Sequence, residues 1–233
     1  MSTEKKLGAR LQCACAYLSA GGTVADIGTD HAYLPIEIIR KGLSQRAIAC
    51  DINRGPIESA RRNIEAAGLS DCIDTMQTDG LHGVECFHPT DILIFGMGGE
   101  LIAKILSEAP WVKDEEIGLI LQPMSHAEIL RRWLSENGFA IVGETLTYED
   151  QYYQTIHARF HGEAYCLTEE EAFFGEKILE GDSPLLEGYL KKRAETLNTV
   201  IAGKKKGNAD VALESRLLDA IKTRLARKGE RIE

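Results

Sequence analysis

Hydrophobic positions follow two rhythms that alternate along most of this 233-residue chain. Short, largely apolar runs recur at Thr23–Ile27, Arg46–Ile52, Cys72–Thr78, Asp91–Phe95 and Glu116–Leu121. Between them, apolar side chains return every three or four residues in Leu34–Arg40, Pro56–Ala67, Glu100–Leu106 and Ala127–Glu136. The first rhythm predicts strands buried on both faces, the second helices with one apolar stripe. Pro35 and Pro56 sit where a first helical turn tolerates them, and Gly68 and Asn137-Gly138 stand just past helix ends. Leu7, Leu11, Ala14, Cys15 and Leu18 predict a further helix over residues about 4–20, closed by Gly21-Gly22. Phe139–Leu146 and Tyr153–Phe160 read as strands joined by a polar turn, an antiparallel hairpin at one edge. Strands alternating with helices give an α/β fold, a Rossmann-like doubly wound sheet of seven strands.

After Phe160 the pattern changes. Thr168-Glu169-Glu170-Glu171 has the residues of a capping box. Two longer helices follow, about Pro184–Ala202 and Asp210–Arg227, separated by Lys204–Asn208. Leu190, Leu197 and Ile201 form one stripe; Val211, Leu218, Ile221 and Leu225 form another with heptad-like spacing. Neither stripe can bury itself alone, so the helices pair as an antiparallel hairpin or pack on the sheet. The expected division is a ligand-binding domain over 1–162 and a coiled-coil-like helical domain over 163–233.

Composition is that of a soluble globular protein, 44% hydrophobic and 27% charged. No apolar run approaches the roughly 20 residues of a membrane helix, and MSTEKKLGAR lacks the core of a signal peptide. A cytoplasmic protein is expected. Six cysteines (Cys13, Cys15, Cys50, Cys72, Cys86, Cys166) show no C-x-x-C pair and read as buried thiols. His157 and His161 lie in a strand-like segment, where their spacing separates them by roughly 13 Å. No metal site is indicated. The net charge of −9 is unevenly spread: residues 189–233 carry 12 basic and six acidic side chains on an otherwise acidic chain. A basic helical segment on an acidic body suits a polyanionic partner or simply a solvated face.

In doubly wound sheets, ligands bind beyond the carboxyl ends of the strands. Here those ends read Asp26-Ile27-Gly28-Thr29-Asp30-His31, Cys50-Asp51-Ile52-Asn53, Thr78-Asp79-Gly80 and Gly96-Met97-Gly98-Gly99. One such Asp could be a helix cap; four successive strand ends bearing Asp or Gly are hard to ascribe to turns. Asp51, 23 residues after Gly28, stands where a carboxylate accepts ribose hydroxyls. A dinucleotide pyrophosphate would be repelled by Asp30 at the helix start. A ligand bearing a sulfonium and an ammonium group would be attracted by Asp26 and Asp30, with Asp51 for its ribose and Asp79 for its adenine. The site therefore favours S-adenosylmethionine over NAD, and a sheet with a terminal hairpin is the class I methyltransferase arrangement.

DIGTDHAYLP, GMGG at 96–99 and LQP at 121–123, with the helical pair, resemble the bacterial tRNA adenine-22 N1-methyltransferase family over essentially the whole chain. The resemblance implies methyl transfer from S-adenosylmethionine to a ring nitrogen of a tRNA adenine. The N/D-P-P-Y motif of amino-group methyltransferases is absent, which fits a ring nitrogen. One departure is Met124, where the family tends to have Asn; Met cannot hydrogen-bond in its place. Adenine N1 already carries an in-plane lone pair, so the task is alignment, worth up to ~7–11 kcal/mol. The adenine must first be exposed, at a cost of a few kcal/mol. Tyr33, Tyr152 and Tyr153 are candidates to stack on it, and the last two begin a strand where the family has a Tyr-bearing motif. Gln122, Tyr153 and His31 are the candidate catalytic groups; His31 either lines the methyl pocket or caps the helix. Cofactor contacts are expected from Asp26, Gly28, Asp30, His31, Asp51, Asn53, Asp79, Gly80, Gly96, Met97, Gly98 and Gly99. Substrate contacts are expected from Tyr33, Lys191, Lys192, Arg193, Lys204, Lys205 and Lys206. The alternatives are a small-molecule methyltransferase, which needs no basic tail, and a non-catalytic RNA-binding module; a nicotinamide dehydrogenase is disfavoured by Asp30. The partner expected is tRNA, with no membrane and no metal, and a monomer as the working expectation for oligomeric state.

Overall fold

The computed structural model describes residues 8–229. The chain divides into two compact units, the first ending at Cys166 and the second beginning at Leu167. In the first, β1 (Thr23–Ile27), β2 (Arg46–Asp51), β3 (Ile73–Gln77), β4 (Asp91–Met97) and β5 (Gly118–Pro123) pair in parallel. β7 (Tyr152–Phe160) runs antiparallel to β5, and β6 (Phe139–Tyr148) antiparallel to β7. The order is β3-β2-β1-β4-β5-β7-β6, so the sheet winds outward in opposite senses from β1 and β4.

Helices α2 (Tyr33–Arg40), α3 (Arg54–Ala66), α4 (Gly99–Ser107) and α5 (Ala127–Glu136) fill the crossovers. Alternate residues of a strand face opposite ways. Val24, Ala47, Ala49, Ile73, Leu93, Phe95 and Ile120 thus share one face, enclosed with Leu34, Ile38, Ala60 and Ile64 of α2 and α3. Ile92, Ile94, Leu119 and Leu121 point the other way and are fully buried, as are Ile102 of α4 and Leu130 of α5. Against this flank, Arg131 of α5 meets Glu144 of β6 at 2.7 Å with both side chains fully enclosed, and its Nη2 donates to Gln154 Oε1 at 2.7 Å.

The amino-terminal helix is shorter than its periodicity predicts. Only α1 (Ala9–Gln12) is α-helical, followed by a 3₁₀ turn over Cys13–Ala16, and residues 4–7 of the expected helix, Leu7 included, lie outside the described residues. Tertiary bonds divert the chain: Ser19 gives its backbone N–H and its hydroxyl to the buried Asp91 carboxylate at 3.0 and 3.1 Å. The cysteines also depart from expectation. Cys50 is buried, Cys13, Cys15 and Cys72 are half-buried, and Cys86 and Cys166 are exposed, because the last two fall outside the apolar stripes.

The second unit opens with α6 (Glu169–Phe174), capped reciprocally by Thr168 and Glu171, and α7 (Glu176–Glu180). α8 (Leu186–Lys206) and α9 (Ala212–Gly229) pack together, joined by a short turn. Leu186, Tyr189, Leu190 and Leu197 of α8 and Leu217, Leu218 and Ile221 of α9 are buried. Ile201, Val211 and Leu225 are only half-buried. Lys204–Lys206, expected in the connection, continue α8 for its last turn, where basic side chains suit the helix dipole.

Candidate functional site

The carboxyl ends of β1, β2, β3 and β4 bring the predicted cofactor residues to one edge of the sheet. Gly28 turns at φ 80°, a conformation open to glycine, and its N–H and that of Thr29 both donate to the Cys50 carbonyl at 2.8 Å. That lock sets the end of β1 against the end of β2. Asp51 Oδ1 accepts the Asn53 N–H at 2.7 Å, and its carbonyl accepts the Thr78 N–H at 3.0 Å, which ties in the end of β3. Asp26 is buried; desolvation raises its carboxyl to about 6, against a hydrogen bond from Thr29 and with a further push from the Asp51 charge. Burial, then the Asp26 and Asp51 charges, drive the neighbouring Cys50 thiol up to about 12. Thr29 Oγ1 accepts the Ala32 N–H at 3.2 Å.

Asp30 and His31 stand in contact, Nε2 to Oδ2 3.2 Å, and the His31 ring stacks on Tyr33 at 5.2 Å. His31 does not cap α2: Ala32 holds that position, with φ 56° and no side-chain cap. His126 starts α5 in the same way at φ 51°. Left-handed non-glycine residues cost about 1 kcal/mol or more and gather at functional sites; both sit at the ligand edge. Asp79 is exposed, and Gly80 lies against Ile105 of α4.

The GMGG stretch divides its work. Gly96, at φ 78°, is where the β4–β5 register shifts, a bulge that re-aims the strand end. Met97 lies across Gly28, its Cε filling the space that a Cβ there would need. Gly98 has ordinary backbone geometry, with only the Ser125 hydroxyl near its missing side chain. Gly99 is the tight one: a Cβ would collide with the His126 carbonyl oxygen, so its small size serves the α4–α5 contact rather than an open crevice.

In the other half of the edge the sequence singled out Gln122 and Tyr153 but not Arg10 of α1, which joins them. Arg10 Nε donates to Gln122 Oε1 at 2.7 Å, and its guanidinium lies over the Tyr153 ring, 4.9 Å from the centroid. Gln122, fully buried, is held the right way round by Nε2 bonds to the Arg10 carbonyl (3.0 Å) and Thr155 Oγ1 (3.1 Å). Its carbonyl oxygen therefore points at the guanidinium. The Tyr153 hydroxyl donates to Asp150 Oδ1 at 2.7 Å, and this bond holds the Asp150 carboxyl below its ordinary range. Arg10 Nη2 reaches Gly96, standing 3.1 Å from its absent Cβ, so Arg10 adjoins the bulge in β4. Tyr152 pairs instead with Tyr148 at the hairpin tip, and Met124 is exposed beside Gln122-Pro123.

Within the second unit, Lys191 pairs with Glu187, Lys192 with Glu195 and Lys204 with Glu214. Arg193 turns inward and donates to the Phe173 carbonyl at 3.4 Å. It is half-buried, unlike the exposed Lys191 and Lys192. Lys205 and Lys206 are exposed, and no ion pair engages them among the described residues. No helix of the described residues is long and apolar enough to cross a membrane. Among those residues no group of three or more His, Cys, Asp or Glu side chains could hold a metal ion.

The donor set fits S-adenosylmethionine. Asp26 is a buried carboxylate with no cation partner among the described residues, the kind of group that suits an ammonium, and Asp51 at the adjoining strand end is the kind that suits ribose hydroxyls. A parallel sheet closed by a β7–β6 reversal, with acidic ends on β1 and β2, defines an S-adenosylmethionine-dependent methyltransferase of the Rossmann-like class. The sequence model of tRNA (adenine(22)-N(1))-methyltransferase matches residues 24–224. The chain belongs to that family. The tRNA (adenine(22)-N(1))-methyltransferase of Bacillus subtilis is 42% identical over 150 residues, 63% of this chain and 62% of the relative, so the aligned part is just under two thirds of that protein. A Streptococcus pneumoniae protein solved in complex with S-adenosyl-L-methionine superposes with TM-score 0.83 at 33% identity, covering 94% of this chain and all of its own. An M. capricolum enzyme of the family, solved with S-adenosyl-homocysteine, gives TM-score 0.73 at 28% identity, covering 97% of each chain.

Proposed function

We propose that this chain transfers the methyl group of S-adenosylmethionine to N1 of adenine 22 in tRNA, in the cytoplasm. Asp26, Asp51 and Asn53, with the Gly28 turn, hold the cofactor; the Gly96 bulge separates it from the base; Gln122 and Tyr153 receive the adenine. When bound, the cofactor supplies an electrophilic methyl group on a sulfonium. The protein's part is alignment and electrostatics, because adenine N1 attacks with its own lone pair. Gln122 presents its carbonyl oxygen, the acceptor needed by an adenine 6-amino group, and Tyr153 offers a ring face for stacking.

The observation that carries this reading is the end of β4, where Met97 lies across the Gly28 turn of the acidic strand ends and Gly96 is reached by Arg10, which is held by Gln122 over the Tyr153 ring. Incubation with labelled S-adenosylmethionine and unmodified tRNA, followed by nucleoside analysis, should give 1-methyladenosine at a single position. Incorporation into small molecules but not into tRNA would overturn the reading. Asp51→Ala should weaken cofactor binding by roughly 1–3 kcal/mol, the scale of hydrogen bonds involving a charged group, and calorimetry reads this directly.

A further inference from the structure

A planar cation already occupies the place where the base is proposed to sit. The Arg10 guanidinium stacks over Tyr153 at 4.9 Å, donates to Gln122 Oε1 at 2.7 Å and abuts Gly96. Beyond the ring stands the Asp150 carboxylate, bonded to the Tyr153 hydroxyl, and the Glu149 carboxylate holds the Arg10 backbone N–H at 2.8 Å. An aromatic face, a carbonyl acceptor and nearby carboxylates are together the surroundings that favour a flat delocalised cation.

We infer that Arg10 is an internal stand-in for the methylated base: the acceptor pocket is complementary to cationic 1-methyladenine, and Arg10 must leave before adenine enters. The inference rests on the functional reading above. The reaction joins adenine N1 to the methyl carbon as the carbon–sulfur bond breaks and its electron pair returns to sulfur. The positive charge of the sulfonium thereby passes to the adenine ring, where at neutral pH it stays. Groups that hold the guanidinium in the resting protein therefore stabilise the charge that develops on the base, which is where preorganised electrostatics accelerate a reaction. Arg10 itself cannot remain there during transfer, because the guanidinium and the methylated ring would need the same Tyr153 face and the same Gln122 oxygen and would repel each other as like charges. Arg10 thus plugs the site, latched by the Glu149 bond to its N–H and by the Gln122 bond to its carbonyl, until RNA displaces it.

The test is calorimetric titration of the full-length protein, loaded with S-adenosylhomocysteine, with the free nucleosides 1-methyladenosine and adenosine at pH 7. Arg10→Ala should bind 1-methyladenosine at least tenfold more tightly than the unaltered protein does, and should prefer it to adenosine. Asp150→Asn added to Arg10→Ala should reduce that preference. Arg10→Met keeps most of the apolar stem and should behave like Arg10→Ala, which guards against a folding defect. Unchanged nucleoside affinity in both folded variants would make Arg10 a wall of the pocket and overturn the inference. Equal affinity for the two nucleosides would overturn the complementarity to a cation. Methyl transfer to unmodified tRNA by the unaltered protein is measured in parallel: its presence alongside a negative titration removes only this inference, and its absence removes the functional reading with it.

Discussion

Two flanks of the same sheet each bury a carboxylate and treat it in opposite ways. On the hairpin flank, Glu144 meets Arg131 at 2.7 Å, both side chains fully enclosed, with Gln154 taking a further guanidinium N–H. At the ligand edge, Asp26 is enclosed as well, but its neighbours are the Thr29 hydroxyl and the like charge of Asp51, and burial drives its carboxyl up to about 6. A buried charge that finds its partner within the fold maintains the fold. One left without such a partner is destabilising in isolation, and a ligand that brings the missing cation relieves the cost. The difference separates structural from functional polar groups without reference to any relative.

The comparison breaks most visibly at the paired flank. Glu144→Ala leaves the Arg131 cation buried and unmatched, which costs about 3–5 kcal/mol. For a unit of this size the melting temperature should fall by on the order of 10 °C. Replacing both partners by apolar residues, Arg131→Met with Glu144→Leu, should recover most of that loss. A drop of a degree or two in Glu144→Ala would mean that water or a neighbouring group already serves the pair.

Asp26→Asn should act with the opposite sign. The folded carboxyl titrates at about 6 instead of the ordinary 3.8, so ionisation is penalised in the fold. Removing the charge should stabilise the ligand-free protein by up to about 2–3 kcal/mol at neutral pH. The same change should weaken S-adenosylhomocysteine binding by about tenfold or more, since a charge-assisted contact disappears. Thermal melts with and without the ligand read both effects. A variant that is less stable, or that keeps its affinity, would show Asp26 to be a structural residue.

Much of this was legible before the fold. β1, β2, β4 and β5 follow from apolar runs because they are buried on both faces, and the half-buried hairpin strands follow from two strand-like runs joined by a polar turn. Asp26, Asp51 and Gly28 were legible because a turn after a strand must carry its chemistry in consecutive residues. The pairing of Arg131 with Glu144 was not, since it joins a helix to a strand 13 residues on and leaves no periodic trace. Arg10 was missed for a similar reason: its partners Gln122 and Glu149 lie 112 and 139 residues away. The role of Gly99 against the His126 carbonyl was not legible, because spacing cannot tell a glycine that clears a ligand from one that clears backbone. The amino-terminal helix was overextended because periodicity is blind to tertiary bonds such as those of Ser19 to Asp91, which fix the chain beyond the 3₁₀ turn.

The same carboxylate gives a sharper test through pH. Without ligand the folded protein binds a proton at Asp26 that the unfolded chain releases, so this group's contribution to stability falls as pH rises from about 4 to above 6 and is flat beyond. A ligand ammonium favours the charged carboxylate, so binding below the raised value must expel that proton. Affinity for S-adenosylhomocysteine should therefore increase by up to about tenfold from pH 5 to pH 7 and then level off. Calorimetry in two buffers of different ionisation enthalpy should detect proton release near pH 5.5, and Asp26→Asn should abolish it. A pH-independent affinity would place the ligand's cation elsewhere.

The smallest expected effect extends the comparison to the basic helices, where paired and unpaired charges also lie side by side. Lys204 is bound to Glu214 at 2.6 Å and Lys191 to Glu187 at 2.6 Å, whereas Lys205 and Lys206 are exposed with no ion pair among the described residues. If these helices grip an RNA backbone, the unpaired lysines should carry the grip, because a paired lysine must first give up its carboxylate. Each phosphate that a lysine no longer neutralises lowers the salt dependence of binding by about 0.7–0.9 in the log–log slope. Lys205→Glu with Lys206→Glu should thus flatten the slope by about 1.5 and weaken tRNA binding a few-fold near physiological salt, leaving S-adenosylmethionine affinity unchanged. Lys191→Glu should do less to binding and cost little stability, since exposed pairs contribute at most ~1 kcal/mol. Equal effects at the paired and unpaired positions would mean that RNA reads the net charge of the unit rather than particular side chains. No effect at either would leave the basic segment a solvated face and move RNA recognition wholly to the sheet unit.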